Sequence, residues 1–131
     1  MKALLLENIH PDAERVLTSR GFEVETRSTV LAPDELIEAL DGVQYLGIRS
    51  TTDVTAEVIA GAPQLRAIGA FCIGTNQIDL DAAAEAGIAA FNAPYSNTRS
   101  VVELVIGEII ALGRRLTEKN ANMHAGLWEK T

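Results

Sequence analysis

Three short stretches carry residues that can hold a small anion: Arg49-Ser50-Thr51, Cys72-Ile73-Gly74-Thr75 and Asn92 to Asn97. Each follows an apolar run with the character of a buried strand. Arginine pairs with carboxylate or phosphate through a planar fork of donors. A glycine-bearing loop leaves N–H groups free to cradle an oxyanion. In open parallel sheets, ligands bind beyond the carboxyl ends of the strands, where the strand order reverses. Binding of a small anion is therefore the chemistry these positions support.

Each residue also has a plainer reading. Arg49 is either an anion ligand or a solvated strand end. Cys72 reads as a small packing residue, since no histidine close in sequence activates it as a nucleophile. Gly74 serves a tight turn or a close approach to ligand, and Asn97 shapes its loop or reaches a ligand. His10 and His124 lack metal-ligand spacing, so no metal site is expected. Trp128 reads as a packing residue. No G-x-G-x-x-G occurs, and the P-loop spacing of Gly69 and Gly74 is followed by Thr75-Asn76 instead of Lys-Ser/Thr. No nucleotide fingerprint and no acid–base pair is present, so no catalytic residue is assigned.

The elements that position these loops alternate strand and helix. Strands are expected at Lys2–Leu6, Phe22–Thr26, Tyr45–Ile48, Leu65–Ala70 and Ile88–Phe91. Pro11 and Pro33 open helices, Asp79 caps one, and Gly21, Gly42, Gly61 and Gly87 stop them. Five strand-then-helix units predict an α/β fold with a mostly parallel sheet, and the continuous apolar strands predict cover on both faces. Ser100-Val-Val-Glu103 has the form of a capping box opening a long helix. That helix is apolar around most of its circumference up to Leu112, so it is expected to be covered by a further domain or a second subunit.

Composition limits the partners. The 131 residues carry 18 acidic and 11 basic side chains, a net charge of -7. This argues against nucleic acid or an anionic membrane surface as partner. The single cysteine excludes an internal disulfide and fits a reducing compartment. The apolar stretch Val101 to Leu112 is too short and too charged to span a membrane. A cytoplasmic protein is expected.

The run FCIGTNQIDLDAAAEAGIAAFNAPYSNTRSVVELVIGEII, with LLLENIH, LGIRSTT and NANMHAGLW (Asn120 to Trp128), resembles the D-isomer-specific 2-hydroxyacid dehydrogenases, in particular the phosphoglycerate branch of the serine pathway. The resemblance spans nearly the whole chain. It implies a flavodoxin-like substrate domain over residues 1–99, with five parallel strands and helices on both faces. It implies that residues 100–131 form a long crossover helix and the start of an NAD-binding domain. It further implies that Arg49, Ser50, Cys72, Ile73, Gly74 and Asn97 bind a small anionic 2-hydroxyacid, the 72–74 loop through its backbone. Ile73 and Val101 would border the nicotinamide of NAD. The family's catalytic histidine, glutamate and arginine lie downstream of the matched region, so the 131 residues alone are expected to be inactive. A homo-oligomer through the Ser100 helix is expected.

One departure stands out. Many relatives read Arg-Ser-Arg-Thr where this chain reads Arg49-Ser50-Thr51-Thr52, which weakens the case for a phosphorylated substrate and leaves another 2-hydroxyacid open. The alternative class is a non-enzymatic binding or oligomerisation module of the same topology. A receiver domain would need an acidic cluster after the first strand and an acceptor aspartate after the third. The chain offers a lone Glu7 and then Arg49.

Overall fold

The computed structural model describes residues 1–128. They divide into two compact units, Met1–Ser96 and the segment from Asn97 onward. The last three residues of the 100–131 segment lie outside the described region.

In the first unit, β1 (Lys2–Leu5), β2 (Glu23–Thr26), β3 (Tyr45–Ile48), β4 (Ala67–Ala70) and β5 (Ala89–Asn92) form one parallel sheet of order β2-β1-β3-β4-β5. This is the flavodoxin-like order, with its switch point between β1 and β3. Register aligns Ala3 with Tyr45, Gly47 with Gly69, and Ala70 with Asn92, so the strands end together. Crossovers are α1 (Pro11–Ser19), α2 (Pro33–Ala39), α3 (Ala56–Gly61) and α4 (Leu80–Glu85). Right-handed crossovers put α1 on one face, because β1 to β2 runs opposite to the later steps, and α2, α3 and α4 on the other.

Local chemistry explains the boundaries. His10 caps α1, its Nδ1 accepting the Asp12 N–H at 3.2 Å. The Asp79 carboxylate caps α4 by accepting the Ala82 N–H at 2.9 Å. Gly21, Gly42 and Gly87 follow helix ends with φ of 82°, 73° and 70°, a conformation that costs other residues about 1–2 kcal/mol. The core gathers Leu4, Leu6, Leu36, Leu46, Ile48, Val54, Val58 and Ile68 between the sheet and the α2–α4 layer. Each such side chain contributes about 1.5–3 kcal/mol on burial.

Two-sided cover holds for β1 and β3 but not for the edges. All four residues of β5 are exposed, and β2 is only half-buried. A strand at the edge has a neighbour on one side only; α1 packs on β2 and α4 on β5.

The second unit departs further from the sequence reading. Its first helix, α5, spans Thr98–Gly113, with Asn97 at the cap position. Ser100 is therefore inside the helix and does not cap it. Glu103 does not reach back to a cap; its carboxylate accepts the Arg99 Nε–H at 2.7 Å. An arginine four residues away competes successfully for that carboxylate. The long helix also breaks: Arg115 adopts φ 51°, and α6 runs from Leu116–His124. No residue of α5 is buried, its apolar surface included. Trp128, expected to pack, is 75% exposed.

Candidate anion-binding rim

The carboxyl ends of β1, β3, β4 and β5 build one rim on the first unit. Its anchor is Glu7, the residue that ends the apolar run after β1. Glu7 is buried, with φ 60°. Oε1 accepts the N–H groups of Arg49 at 3.0 Å and Thr52 at 2.9 Å, and Oε2 accepts that of Thr51 at 3.1 Å. Burial opposes ionisation, but the N–H groups of Thr52, Arg49 and Thr51 outweigh it. They hold the Glu7 carboxyl below its ordinary value of 4.5. A buried carboxylate thus ties β1 to the loop after β3.

Gln77, also buried, braces the same loop from the other side. Its Nε2 donates to the Arg49 carbonyl at 2.7 Å and approaches the Gly74 carbonyl at 3.4 Å and Cys72 Sγ at 3.3 Å. The Cys72 thiol is half-buried and directed at the carbonyls of Gly74 (3.2 Å) and Arg49 (3.4 Å). The side chain packs against the core while its Sγ bridges two loop carbonyls. Asn92, at the end of β5, donates its Nδ2–H to the Ile73 carbonyl at 2.7 Å. The Phe71 N–H donates to Ile48 and the Ala93 N–H to Cys72. The carbonyls of the 72–74 loop thus point into the protein.

Its amides do the opposite. The N–H groups of Cys72, Ile73 and Gly74 donate no hydrogen bond among the described residues. Ile73 and Gly74 are exposed. Gly74 does not occupy the left-handed region; a Cβ there would lie 2.8 Å from Asn76 Oδ1. The Arg49 side chain is exposed and makes no ion pair or hydrogen bond among the described residues, and Ser50 is exposed beside it. A free guanidinium and a run of unpaired amides, both on braced backbone, make an arrangement suited to a carboxylate or phosphate.

A family model described as the catalytic domain of D-isomer specific 2-hydroxyacid dehydrogenases matches residues 3–126. The chain belongs to the D-isomer-specific 2-hydroxyacid dehydrogenases. Among relatives of this dehydrogenase chain, a putative D-3-phosphoglycerate dehydrogenase of Schizosaccharomyces pombe is 50% identical over 130 residues, 99% of this chain and 28% of the relative. The D-3-phosphoglycerate dehydrogenase of Escherichia coli K12 is 49% identical over 131 residues, 99% of this chain and 32% of the relative. The chain thus spans about a third of the curated dehydrogenases it matches. Among solved structures, the TT0316 protein of Thermus thermophilus superposes with a TM-score of 0.82 at 30% identity, covering 100% of this chain and 42% of that one.

Of the residues the dehydrogenase resemblance singled out, Arg49, Ser50, Cys72, Ile73 and Gly74 meet at the rim of the first unit. Asn97 and Val101 belong to the second unit, at the cap position and in the first turns of α5. The Asn97 carboxamide makes no hydrogen bond among the described residues, so the loop-shaping alternative is not what it does here. The sequence places Asn92 on the rim but does not show that it braces the 72–74 loop, and it gives Glu7 and Gln77 no role there. For Glu7 the available signal was a charge closing the buried run Leu4-Leu5-Leu6. No cluster of three or more metal-ligating side chains occurs among the described residues. No described helix is long and apolar enough to cross a membrane.

Proposed function

We propose that this chain is the substrate-binding part of an NAD-dependent D-3-phosphoglycerate dehydrogenase, acting in serine biosynthesis in the cytoplasm. The parent enzyme would oxidise 3-phospho-D-glycerate to 3-phosphohydroxypyruvate. The observation that carries this reading is the pairing of unpaired Cys72–Gly74 amides with an uncommitted Arg49 guanidinium on one rim. The amides would hold the substrate carboxylate, and Arg49 with Ser50 its other charged group. Asn97 is proposed as a substrate ligand and Val101 as a nicotinamide neighbour on the family resemblance alone.

Oxidation of a 2-hydroxyacid moves a hydride from C2 and a proton from the hydroxyl. NAD, when bound, supplies the hydride acceptor. This chain's residues fit the cofactor only at its border, where Ile73 is an apolar side chain 44% exposed at the rim. They also do not fit the role of proton acceptor. The Glu7 carboxylate is saturated with N–H donors and held below its usual range, which makes it a poor base. The described residues thus bind and orient, and the proton would be taken elsewhere in the parent enzyme.

Thr51 supports a second reading. By the family resemblance it stands where a second arginine is expected, and its N–H is committed to Glu7. An unphosphorylated 2-hydroxyacid would need only one cation. A second copy of the chain is proposed as partner, because α5 leaves Val101, Leu104, Val105 and Ile109 at least 47% exposed. The test of function is a titration of the 131-residue chain followed by amide NMR. 3-Phospho-D-glycerate is expected to move the Cys72, Ile73 and Gly74 resonances, and Arg49→Ala to abolish the effect. Saturation by D-lactate at equal or lower concentration would favour the second reading. No response to either overturns the assignment of this rim.

A further inference from the structure

Arg49 is held by the protein on both sides of its Cα. Its N–H goes to the Glu7 carboxylate at 3.0 Å, and its carbonyl receives the Gln77 Nε2–H at 2.7 Å. Peptide groups are planar, so fixing the two planes that flank a residue fixes its φ and ψ. The direction of the Arg49 Cα–Cβ bond is then set, and only side-chain rotamers remain free. The same Gln77 nitrogen reaches the Gly74 carbonyl and Cys72 Sγ, which belong to the loop carrying the unpaired amides. Both bracing side chains are buried, at 9% and 6% exposure, and come from different segments of the chain. Neither faces outward, and neither is available to touch a ligand at the rim.

Resting on the reading of the rim as an anion site, we propose that Glu7 and Gln77 are positioning residues. They hold the Arg49 guanidinium and the Cys72–Gly74 amides in register as one two-part receptor for a small dianion. Glu7 fixes the loop after β3 relative to β1, at the switch point of the sheet. Gln77 fixes that loop relative to the loop after β4. The anion itself contacts neither.

The coupling has a defined size. If one brace is lost, the loop visits other conformations, and apparent affinity falls with the fraction still competent. Losing the neutral Gln77 bond, or the charge on the Glu7 bonds, corresponds to about a fivefold loss of that fraction.

The test uses the 131-residue chain and three variants, titrated with 3-phospho-D-glycerate and followed by amide NMR. Glu7→Gln and Gln77→Met are each expected to weaken binding by about fivefold. They should also shift the Arg49, Thr51 and Thr52 amides (Glu7→Gln) or the Gly74 region (Gln77→Met) in the absence of ligand. Val43→Ala removes core volume at the opposite end of β3, from a residue with no exposed surface. It should lower stability yet bind the ligand as the parent chain does, which separates positioning from general loosening. If Glu7→Gln does not fold, Gln77→Met decides. Glu7→Gln and Gln77→Met chains that bind as tightly as the parent chain, or a Val43→Ala loss equal to theirs, overturn the proposal. Failure of the unsubstituted chain to bind refutes the anion-site reading instead.

Discussion

Replacing Glu7 by glutamine tests whether a buried carboxylate holds β1 to the loop after β3. The carboxylate accepts three N–H groups, two on Oε1 and one on Oε2. A carboxamide oxygen in the Oε1 position keeps the Arg49 and Thr52 bonds but without full charge. The amide nitrogen then faces the Thr51 N–H, donor against donor. A hydrogen bond to a charged group is worth about 1.5–3 kcal/mol and a neutral one about 1 kcal/mol. Thr51 is exposed, so water relieves part of its loss. The net expectation at pH 7 is a destabilisation of about 2 kcal/mol. For a unit of this size that lowers Tm by about 10 °C.

The pH dependence gives the sharper check. Glu7 is held below 4.5 in the folded protein, so the unfolded chain takes up its proton first as pH falls. The stabilisation is whole above the unfolded value of 4.5 and is lost as pH falls through the lower folded value. The Tm gap between the parent chain and Glu7→Gln should therefore narrow below pH 4.5, in thermal unfolding followed by circular dichroism. A gap under about 2 °C at pH 7, or one that persists unchanged at the acid end, refutes the reasoning.

Gly47→Val should destabilise the sheet by about 1–3 kcal/mol in denaturant unfolding, by overpacking. A Cβ there would lie 2.5 Å from Leu5 Cδ2 and 3.2 Å from both Ile9 Cδ1 and Phe71 Cε2. For the exposed apolar surface of α5, light scattering of the 131-residue chain at micromolar concentration should show a dimer or larger species. A clean monomer counts against self-association, and Ile109→Glu should shift the distribution towards monomer.

Sequence pattern reveals the first unit well because its signals are local. Pro11 and Pro33 open helices, and glycines at 21, 42 and 87 close them in the left-handed region. The rim was legible because parallel topology alone says that strand ends converge, and Arg49 and the 72–74 loop lie at such ends. What holds the rim was not legible. Glu7 meets its donors 42 to 45 residues away, and in sequence it is an isolated acid. Gln77 sits in a loop where any polar residue looks solvated. The Ser100–Glu103 pattern misled for a different reason. Thr98 and Arg99 are themselves helical, so the helix starts earlier, and Arg99 takes the carboxylate that a cap would need. The break at Arg115 had one local sign, Gly113, which an otherwise continuous apolar pattern outweighs.

The placement of β1 between β2 and β3 has a consequence for how the chain acquires its structure. Its pairing with β2 closes a loop of about 20 residues, but its pairing with β3 joins Ala3 to Tyr45. Closing the longer loop adds only a modest entropic cost, since that cost grows with the logarithm of length. It does require the β3 segment to be present, and non-local pairing of this kind slows folding. Until then one edge of β1 is open. The Glu7 carboxylate stays hydrated and unengaged for the same interval, because all of its N–H partners follow β3. Glu7 is thus a late lock: its substitution should speed unfolding far more than it slows folding.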